Sequence, residues 1–186
     1  MNKVFSDYEL LEIGIKFAGD ETATTVECIG SGEDAADVKV ITKRCRGVVK
    51  KKRVKPTGTG VYKLVMHCPW DVYVKMFGMK DETLVDGVYS YGENSRHEEF
   101  VMTQRIEDED GNEKLKAYPN CIIETGKATK IENGAEEVAQ IEIDVAYSPD
   151  EHGNGSYEAL LSEVTDETVK TTWMNAFTPS LVRKKA

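Results

Sequence analysis

The 186-residue chain lacks the sequence features that mark membrane proteins, exported proteins and many enzymes. No apolar run approaches the roughly 20 residues that cross a bilayer. The first residues contain no hydrophobic segment or cleavage site of a signal peptide. No phosphate-binding loop, dinucleotide-binding glycine pattern, zinc-protease motif or serine-hydrolase elbow is present. These absences predict a protein that is not an enzyme, needs no cofactor and is made in a cytoplasm.

Cysteine and histidine are few and widely spaced. The four cysteines form no CxxC pair, and the three histidines do not follow zinc-ligand spacing. His67 and Cys68 are adjacent, but no third residue is evident that would orient them as a nucleophilic pair. The cysteines are therefore expected to be reduced and to act as small core residues. No catalytic residue and no metal ligand is predicted.

Charge is distributed very unevenly along the chain, whose net charge is −9. Between residues 43 and 55, eight of thirteen residues are basic and none is acidic, so the rest of the chain carries −17. The basic residues are Lys43, Arg44, Arg46, Lys50, Lys51, Lys52, Arg53 and Lys55. Charges packed this closely repel one another, so a partner or counterions are expected. The segment could be a solvated loop, a nucleic-acid patch or a contact with an acidic surface of another copy.

Most of the chain alternates apolar and polar residues with a period of two, which is typical of strands with one buried face. The clearest run is 139–147, in which Glu142 and Asp144 face away from the apolar residues. Residues 157–164 are predicted to pair nearby, across the loop at 149–156. Further strands are predicted at 11–17, 38–40, 61–66 and 98–106. Glycine-rich residues 57–60 are expected to form a hairpin turn, which places a basic loop or hairpin near 43–59.

One segment strongly favours a helix. Residues 69–77 begin with proline and stop before Gly78, a residue that commonly ends helices. Four apolar residues lie at positions i, i+3, i+4 and i+7 and are predicted to pack on a sheet: Trp70, Tyr73, Val74 and Phe77. A weaker helix is possible near 166–177, where threonine and valine lower helix propensity.

These patterns predict a mainly β protein, an antiparallel β-sandwich or barrel with one short flanking α-helix. A single domain is expected over residues 1–186, because this length suits one core. Its N-terminal residues 1–8 and C-terminal residues 166–186 are predicted to be mobile arms.

The order of these segments resembles that of siphophage major tail proteins, which form the tail-tube protein family. The likeness rests on a strand, a proline and a short helix ending in Gly-Met over residues 59–79, and on strands at 100–105 and 139–147. Residues 118–121 and 173–179 add to it. The resemblance covers residues 8–182 and lies in the order and general character of the segments, but the basic segment at 43–55 matches no part of the family pattern.

The resemblance implies a tail-tube fold and a structural role in a virion tail made in a bacterial host. Such subunits form hexameric rings whose inner strands join into one β-barrel, and the rings stack into a tube. The implied partners are other copies of the chain, the tape-measure protein and phage DNA in the lumen, and the tail terminator and distal tail proteins. No membrane partner is implied.

Two site hypotheses follow from the resemblance and the charge pattern. Glu142 and Asp144 are candidates to line a lumen that repels DNA phosphates, although the same acidic face could lie outside the tube. The basic segment at 43–55 would dock on an acidic surface of the adjacent ring. The alternatives are a tail-completion or baseplate component of the same fold, and a nucleic-acid-binding β domain that uses the basic segment.

Overall fold

A computed structural model describes residues 4–129, 131, 133–134 and 138–184 of the chain. The strands within these residues are β1 (Glu9–Phe17), β2 (Thr24–Val26), β3 (Ile29–Cys45), β4 (Val48–Met66), β5 (Phe100–Glu107), β6 (Glu113–Ile123), β7 (Ile141–Ser148) and β8 (Tyr157–Leu160). The helices are α1 (Trp70–Met76), α2 (Glu167–Ala176) and a 3₁₀ helix at Pro179–Val182. The prediction of a mainly β protein with a short flanking helix is confirmed.

The strands form one antiparallel sheet in the order β2-β1-β5-β6-β7-β4-β3, and β8 pairs with β6. The two sides of the sheet approach each other, because β1 and β3 are in contact. Alternation explains which side chains are buried, since every second residue of β1 and β7 points into the same interior. Ile13 and Ile15 of β1 and Val145 of β7 are completely buried there.

Helix α1 contributes side chains to the main core and matches the sequence prediction closely. Pro69 occupies the N-cap position, and Gly78 follows the helix with φ of +57°. A side chain at Gly78 would overlap the backbone of Arg96, so glycine is required there by space as well as by conformation. Tyr73, Val74 and Phe77 are buried in the main core.

Helix α2 covers the opposite face of the sheet, where a mobile arm was expected. Asp166 caps it by accepting a hydrogen bond from the Thr168 backbone N–H at 2.8 Å. Trp173 is 2% exposed and donates from Nε1 to the Lys116 carbonyl at 3.2 Å. Phe177 joins the same cluster. Residues 167–182 therefore pack on the sheet, because their apolar side chains fill a cluster with Leu115 and Ala117 of β6.

At the N-terminus, residues 5–8 also touch the sheet. The Tyr8 N–H donates to the Glu107 carbonyl at 3.0 Å, and Asp7 forms an ion pair with Lys114. The Lys114 ammonium lies 5.0 Å from the centre of the Phe5 ring. Residues 1–3 and 185–186, which belong to the predicted arms, lie outside the described residues.

Strand β8 pairs with β6, and the predicted pairing with the nearby β7 is wrong. Both edges of β7 are already occupied, by β4 on one side and by residues 120–123 of β6 on the other. The first half of β6 has a free edge, and residues 114–117 receive β8. The strand is also shorter than expected and ends at Leu160. Among the described residues, no helix is long and apolar enough to cross a membrane.

Candidate functional site

The basic segment lies in a long two-stranded ribbon, formed where β3 and β4 continue past the last residue paired with β7. The ribbon comprises residues 38–56, and β7 pairs with β4 only at residues 60–66. Every residue from 31 to 57 is exposed. Each arm of the ribbon spans about 26 Å, at roughly 3.3 Å per residue. Its turn lies at Arg46 and Gly47, with φ of 51° and 79°.

The prediction of a hairpin turn at residues 57–60 is wrong, because these residues lie within β4. Gly58 adopts a φ of 79° next to a register shift between β3 and β4. A side chain on Gly155 would overlap the Gly58 carbonyl. Glycine at both positions therefore lets the loop after β7 approach the base of the ribbon.

The two faces of the ribbon differ in chemistry. Cross-strand partners lie on one face, and neighbours along a strand alternate between faces. The pairs Val38–Pro56, Val40–Val54, Thr42–Lys52 and Arg44–Val49 form one face, which we name the valine face. The pairs Lys39–Lys55, Ile41–Arg53, Lys43–Lys51 and Cys45–Val48 form the other, which we name the basic face. A binding partner would therefore meet either a mainly apolar face, whose cations are Arg44 and Lys52, or a face that carries five cations.

The charges of the ribbon are unbalanced within the described residues. The ribbon holds nine Lys and Arg residues and no acid, and none of the nine forms an ion pair with another described residue. Two like-charged pairs, Lys39–Lys55 and Lys43–Lys51, stand directly opposite each other across the strands. Such pairs destabilise a hairpin, so an isolated ribbon is stabilised by anything that supplies negative charge.

The base of the ribbon is anchored by Asp34, four residues before the ribbon begins. Its carboxylate accepts hydrogen bonds from Lys116 Nζ at 2.6 Å, Tyr118 Oη at 2.9 Å and Tyr147 Oη at 3.0 Å. All three donors belong to buried residues. Because the donors come from β6 and β7, Asp34 fixes β3 against the interior of the sheet. Glu158 adds a second carboxylate 3.1 Å from Lys116 Nζ.

The pKa values of the three residues that donate to Asp34 are shifted by burial and by the Asp34 carboxylate. Burial raises the pKa of Tyr118 and Tyr147 above the ordinary value, and the Asp34 carboxylate raises both pKa values further. Burial by itself would lower the pKa of Lys116, but the hydrogen bond and charge of Asp34 outweigh it, so this pKa is raised. At neutral pH the two phenols are therefore neutral and Lys116 is protonated.

The four cysteines occupy different environments, and the expectation that all act as core residues is wrong for two of them. Cys121 is buried, but Cys28 and Cys45 are exposed, and Cys45 lies beside the ribbon turn. Burial raises the pKa of Cys68 to about 12, and its thiol donates to the Pro69 carbonyl at 3.5 Å. The Cys68 thiol is therefore protonated at neutral pH and is a poor nucleophile.

The acidic pair on β7 lies on the face of the sheet that turns away from the main core. Glu142 is exposed and Asp144 is half-buried, whereas the neighbouring Ile143 and Val145 are buried. Lys63 of β4 stands opposite Asp144. The position agrees with a solvent-facing strand surface, and the assignment of this surface to a lumen stays a prediction.

A second exposed apolar surface was not anticipated from the sequence. Trp70 was expected to pack on the sheet, but it is 58% exposed, stacks on Tyr73 and contacts Tyr89 edge-on. Trp70 and Tyr89 are in contact, and other exposed apolar residues follow α1 in the same stretch of chain. We name this set of residues the end surface: Trp70, Leu84, Val85, Val88, Tyr89 and Tyr91. In the sequence, these apolar residues stand among polar ones without the spacing of a helix or a strand, which could have indicated an exposed apolar surface. Trp70 stays outside because it opens the helix, where the chain has just left the sheet.

No protein-family model matches the chain, and no curated protein matches it. Among solved structures, the chain is similar to the anti-feeding prophage cap, a tube terminating cap, at 10% identity and a TM-score of 0.44. That match covers 86% of this chain and 96% of the other. The chain is also similar to part of the 6-fold symmetrised anti-feeding prophage baseplate, at 7% identity and a TM-score of 0.48, covering 87% and 99%.

Both similar chains thus come from one assembly, the anti-feeding prophage. Because both TM-scores are below 0.5, the function has to be argued from this chain's own residues. The finer resemblance to siphophage major tail proteins stays a prediction.

Proposed function

We propose that this chain is a non-enzymatic structural subunit that assembles with copies of itself through the ribbon, and that the assembly is a phage tail tube of stacked hexameric rings. The observation that carries the proposal is the ribbon itself, which exposes an apolar face and a cationic face on one slender element. Exposed apolar surface and unpaired cations are both suited to a contact between subunits.

The valine face provides the first argument. Val38, Val40 and Val54 are 54%, 54% and 59% exposed, and they line up along the face. Contiguous exposed apolar surface is typical of sites that another protein covers. A two-stranded ribbon is also marginally stable in water unless a further strand or surface supports it. A protein partner meets both needs.

The basic face provides the second argument. The ribbon carries +9, so the remainder of a chain of net charge −9 carries −18. A second copy therefore offers the negative surface that the ribbon lacks. Because such a contact is partly electrostatic, we expect assembly to weaken as salt rises.

The same reasoning extends to the tube. Within the described residues, β2 and β3 are the outermost strands of the sheet order, and pairing such edges between neighbours around a ring removes an aggregation hazard. Glu142 and Asp144 would then belong to an acidic surface that DNA passes without binding. The tape-measure protein, the tail terminator and the distal tail proteins are the further partners of this proposal.

Electron microscopy and sedimentation of the purified chain over a range of concentrations test the proposal. Tubes or rings are expected. The changes Val40→Asp with Val54→Asp, and Lys43→Glu with Lys51→Glu, are each expected to prevent them. Lys127→Glu, a charge reversal at an exposed position outside the ribbon, is the matched control. Assembly of both ribbon variants at wild-type concentrations would refute the proposal, and compact rings that never form tubes would favour a tail-completion or baseplate component.

Nucleic-acid binding is the second candidate, favoured by the cations of the basic face. A β-ribbon fits the major groove of DNA. If five cations contacted phosphates, the logarithm of the binding constant would fall with the logarithm of salt concentration at a slope of about −4.5. The valine face argues against this function because DNA would leave it uncovered. Tight binding of DNA by the monomer, unaffected by Val40→Asp, would favour the second candidate.

A further inference from the structure

The end surface is held in a defined shape by hydrogen bonds in the loop that follows α1. Asp81 Oδ1 accepts from the Thr83 backbone N–H at 2.9 Å and from the Thr83 hydroxyl at 2.6 Å. The Ser90 N–H donates to the Met79 carbonyl at 3.0 Å. His97 Nδ1 lies 2.8 Å from the Ile123 carbonyl and ties the loop to the sheet. The exposed aromatic side chains are therefore presented on a fixed backbone.

Exposed apolar side chains are concentrated in two places on the molecule. Among the large apolar residues that are exposed in the described part of the chain, six lie on the ribbon and six form the end surface. Four other large apolar residues in the described part of the chain are exposed, namely Val4, Tyr8, Ile131 and Val138. The end surface is thus the one other concentrated apolar area among the described residues, and it is of a kind that a second protein covers.

The charges of the two places are opposite in sign. Residues 80–99 hold six acidic and two basic residues, a net charge of −4, whereas the ribbon carries +9. The acids are Asp81, Glu82, Asp86, Glu93, Glu98 and Glu99. Complementary charge next to complementary apolar surface steers two proteins together and sets their orientation.

The ribbon and the end surface lie toward opposite ends of one strand. The ribbon contains the start of β4, and α1 begins four residues after β4 ends at Met66. A strand of 19 residues extends up to about 60 Å, so the ribbon turn is far from the end surface of its own copy. A contact between two different surfaces on two copies is heterologous, and it propagates as a ring or a filament.

We propose that the end surface is the acceptor for the ribbon of a second copy of this chain. The valine face covers Trp70 and Tyr89, and the two cations on that face, Arg44 and Lys52, lie against the acids of residues 80–99. This inference rests on the proposed function, because it names the surface that the ribbon binds. It makes the assembly head-to-tail.

The experiment uses two variants of the full chain and sedimentation velocity. The ribbon variant carries Val40→Asp and Val54→Asp, and the end-surface variant carries Trp70→Ala and Val85→Ser. The changed residues are exposed, so circular dichroism and Tm are expected to stay near wild type. Each change is expected to raise the concentration needed for assembly about thirtyfold or more, as for truncation of central interface residues. The control is Tyr8→Ser, at an aromatic residue that is 75% exposed and lies outside both surfaces.

An equimolar mixture of the two variants then gives the sharper test. Each variant alone is expected to stay monomeric, whereas the mixture forms a heterodimer, because one copy retains an intact ribbon and the other an intact end surface. If Trp70→Ala reduces the Tm strongly, Val85→Ser with Val88→Ser replaces it. A mixture without heterodimer overturns the inference.

Failure of the inference and failure of the proposed function give different results. If the end-surface variant assembles like wild type and the ribbon variant does not, the ribbon binds elsewhere and only the inference is wrong. If the ribbon variant also assembles like wild type, or if the wild-type chain stays monomeric at all concentrations, the proposed function is wrong as well.

Discussion

Removal of the Asp34 carboxylate should loosen the base of the ribbon and destabilise the whole fold. Asp34→Ala removes the acceptor of three hydrogen bonds, from Lys116, Tyr118 and Tyr147. A hydrogen bond to a charged group contributes about 1.5–3 kcal/mol. The Asp34 side chain is 25% exposed, so solvent weakens its ion pair with Lys116. The structure therefore sets the scale of the loss at several kcal/mol.

Two features of the site reduce this loss. Glu158 Oε1 remains 3.1 Å from Lys116 Nζ, so the ammonium keeps one partner. A cavity of about 460 Å³ adjoins Asp34 and Lys116, so water can solvate the groups that lose their acceptor. The expected decrease in the free energy of unfolding is about 3 kcal/mol. Asp34→Asn keeps an acceptor but loses the charge, and it should cost about half as much.

Urea denaturation followed by circular dichroism measures the free energy of unfolding. The matched control is Asp37→Ala, three residues further along β3, where the carboxylate is exposed and accepts a hydrogen bond from Thr59 at 2.9 Å. It should cost less than about 1 kcal/mol. Hydrogen exchange of the ribbon amides should accelerate in Asp34→Ala only. A loss for Asp34→Ala no larger than that for Asp37→Ala would refute the anchoring role.

Three further predictions concern the sheet, the ribbon base and α2. Burial raises the pKa of Tyr62 to about 12, so the folded state holds the phenol proton more tightly than the unfolded state. The resulting contribution to the free energy of unfolding should be complete below about pH 10 and should be lost as the pH rises through 12. Tyr62→Phe should make that decline shallower in urea denaturation at each pH. Gly155→Ala should lower the free energy of unfolding by about 2–3 kcal/mol, because the added methyl group overlaps the Gly58 carbonyl. Gly153→Ala, in open space at φ of 81°, should lower it by about 1 kcal/mol. Equal losses would contradict the close approach of Gly155 to Gly58. Trp173→Ala should lower the free energy of unfolding by about 3–5 kcal/mol if α2 is part of the fold. A loss as small as that of Lys170→Ala would support the prediction that this segment is a mobile arm.

Several elements could be predicted because their causes are local. Alternation in β1 and β7 identifies one buried face, and Ile13, Ile15 and Val145 are completely buried on it. Proline before α1 and Gly78 after it limit the helix from both sides. The charge of the ribbon follows from composition alone.

Other features depend on contacts between distant residues. Strand β8 joins β6 because both edges of β7 are occupied, which no turn pattern reveals. Residues 57–60 contain turn residues, yet they lie within a strand because Gly58 has to accommodate Gly155. Helix propensity near Glu167–Ala176 is weak, and Trp173 stabilises that helix by packing on the sheet.

By itself, the sequence determined an antiparallel β protein, one capped helix and a dense basic segment, because period, capping residues and charge act over a few neighbouring residues. Only the tertiary structure decided that this segment forms a ribbon with a valine face and a basic face, since the register between β3 and β4 determines which side chains share a face. It also decided that Asp34 anchors the ribbon and that Trp70 belongs to an exposed surface. Both depend on which strands meet, and therefore on the packing of the whole chain.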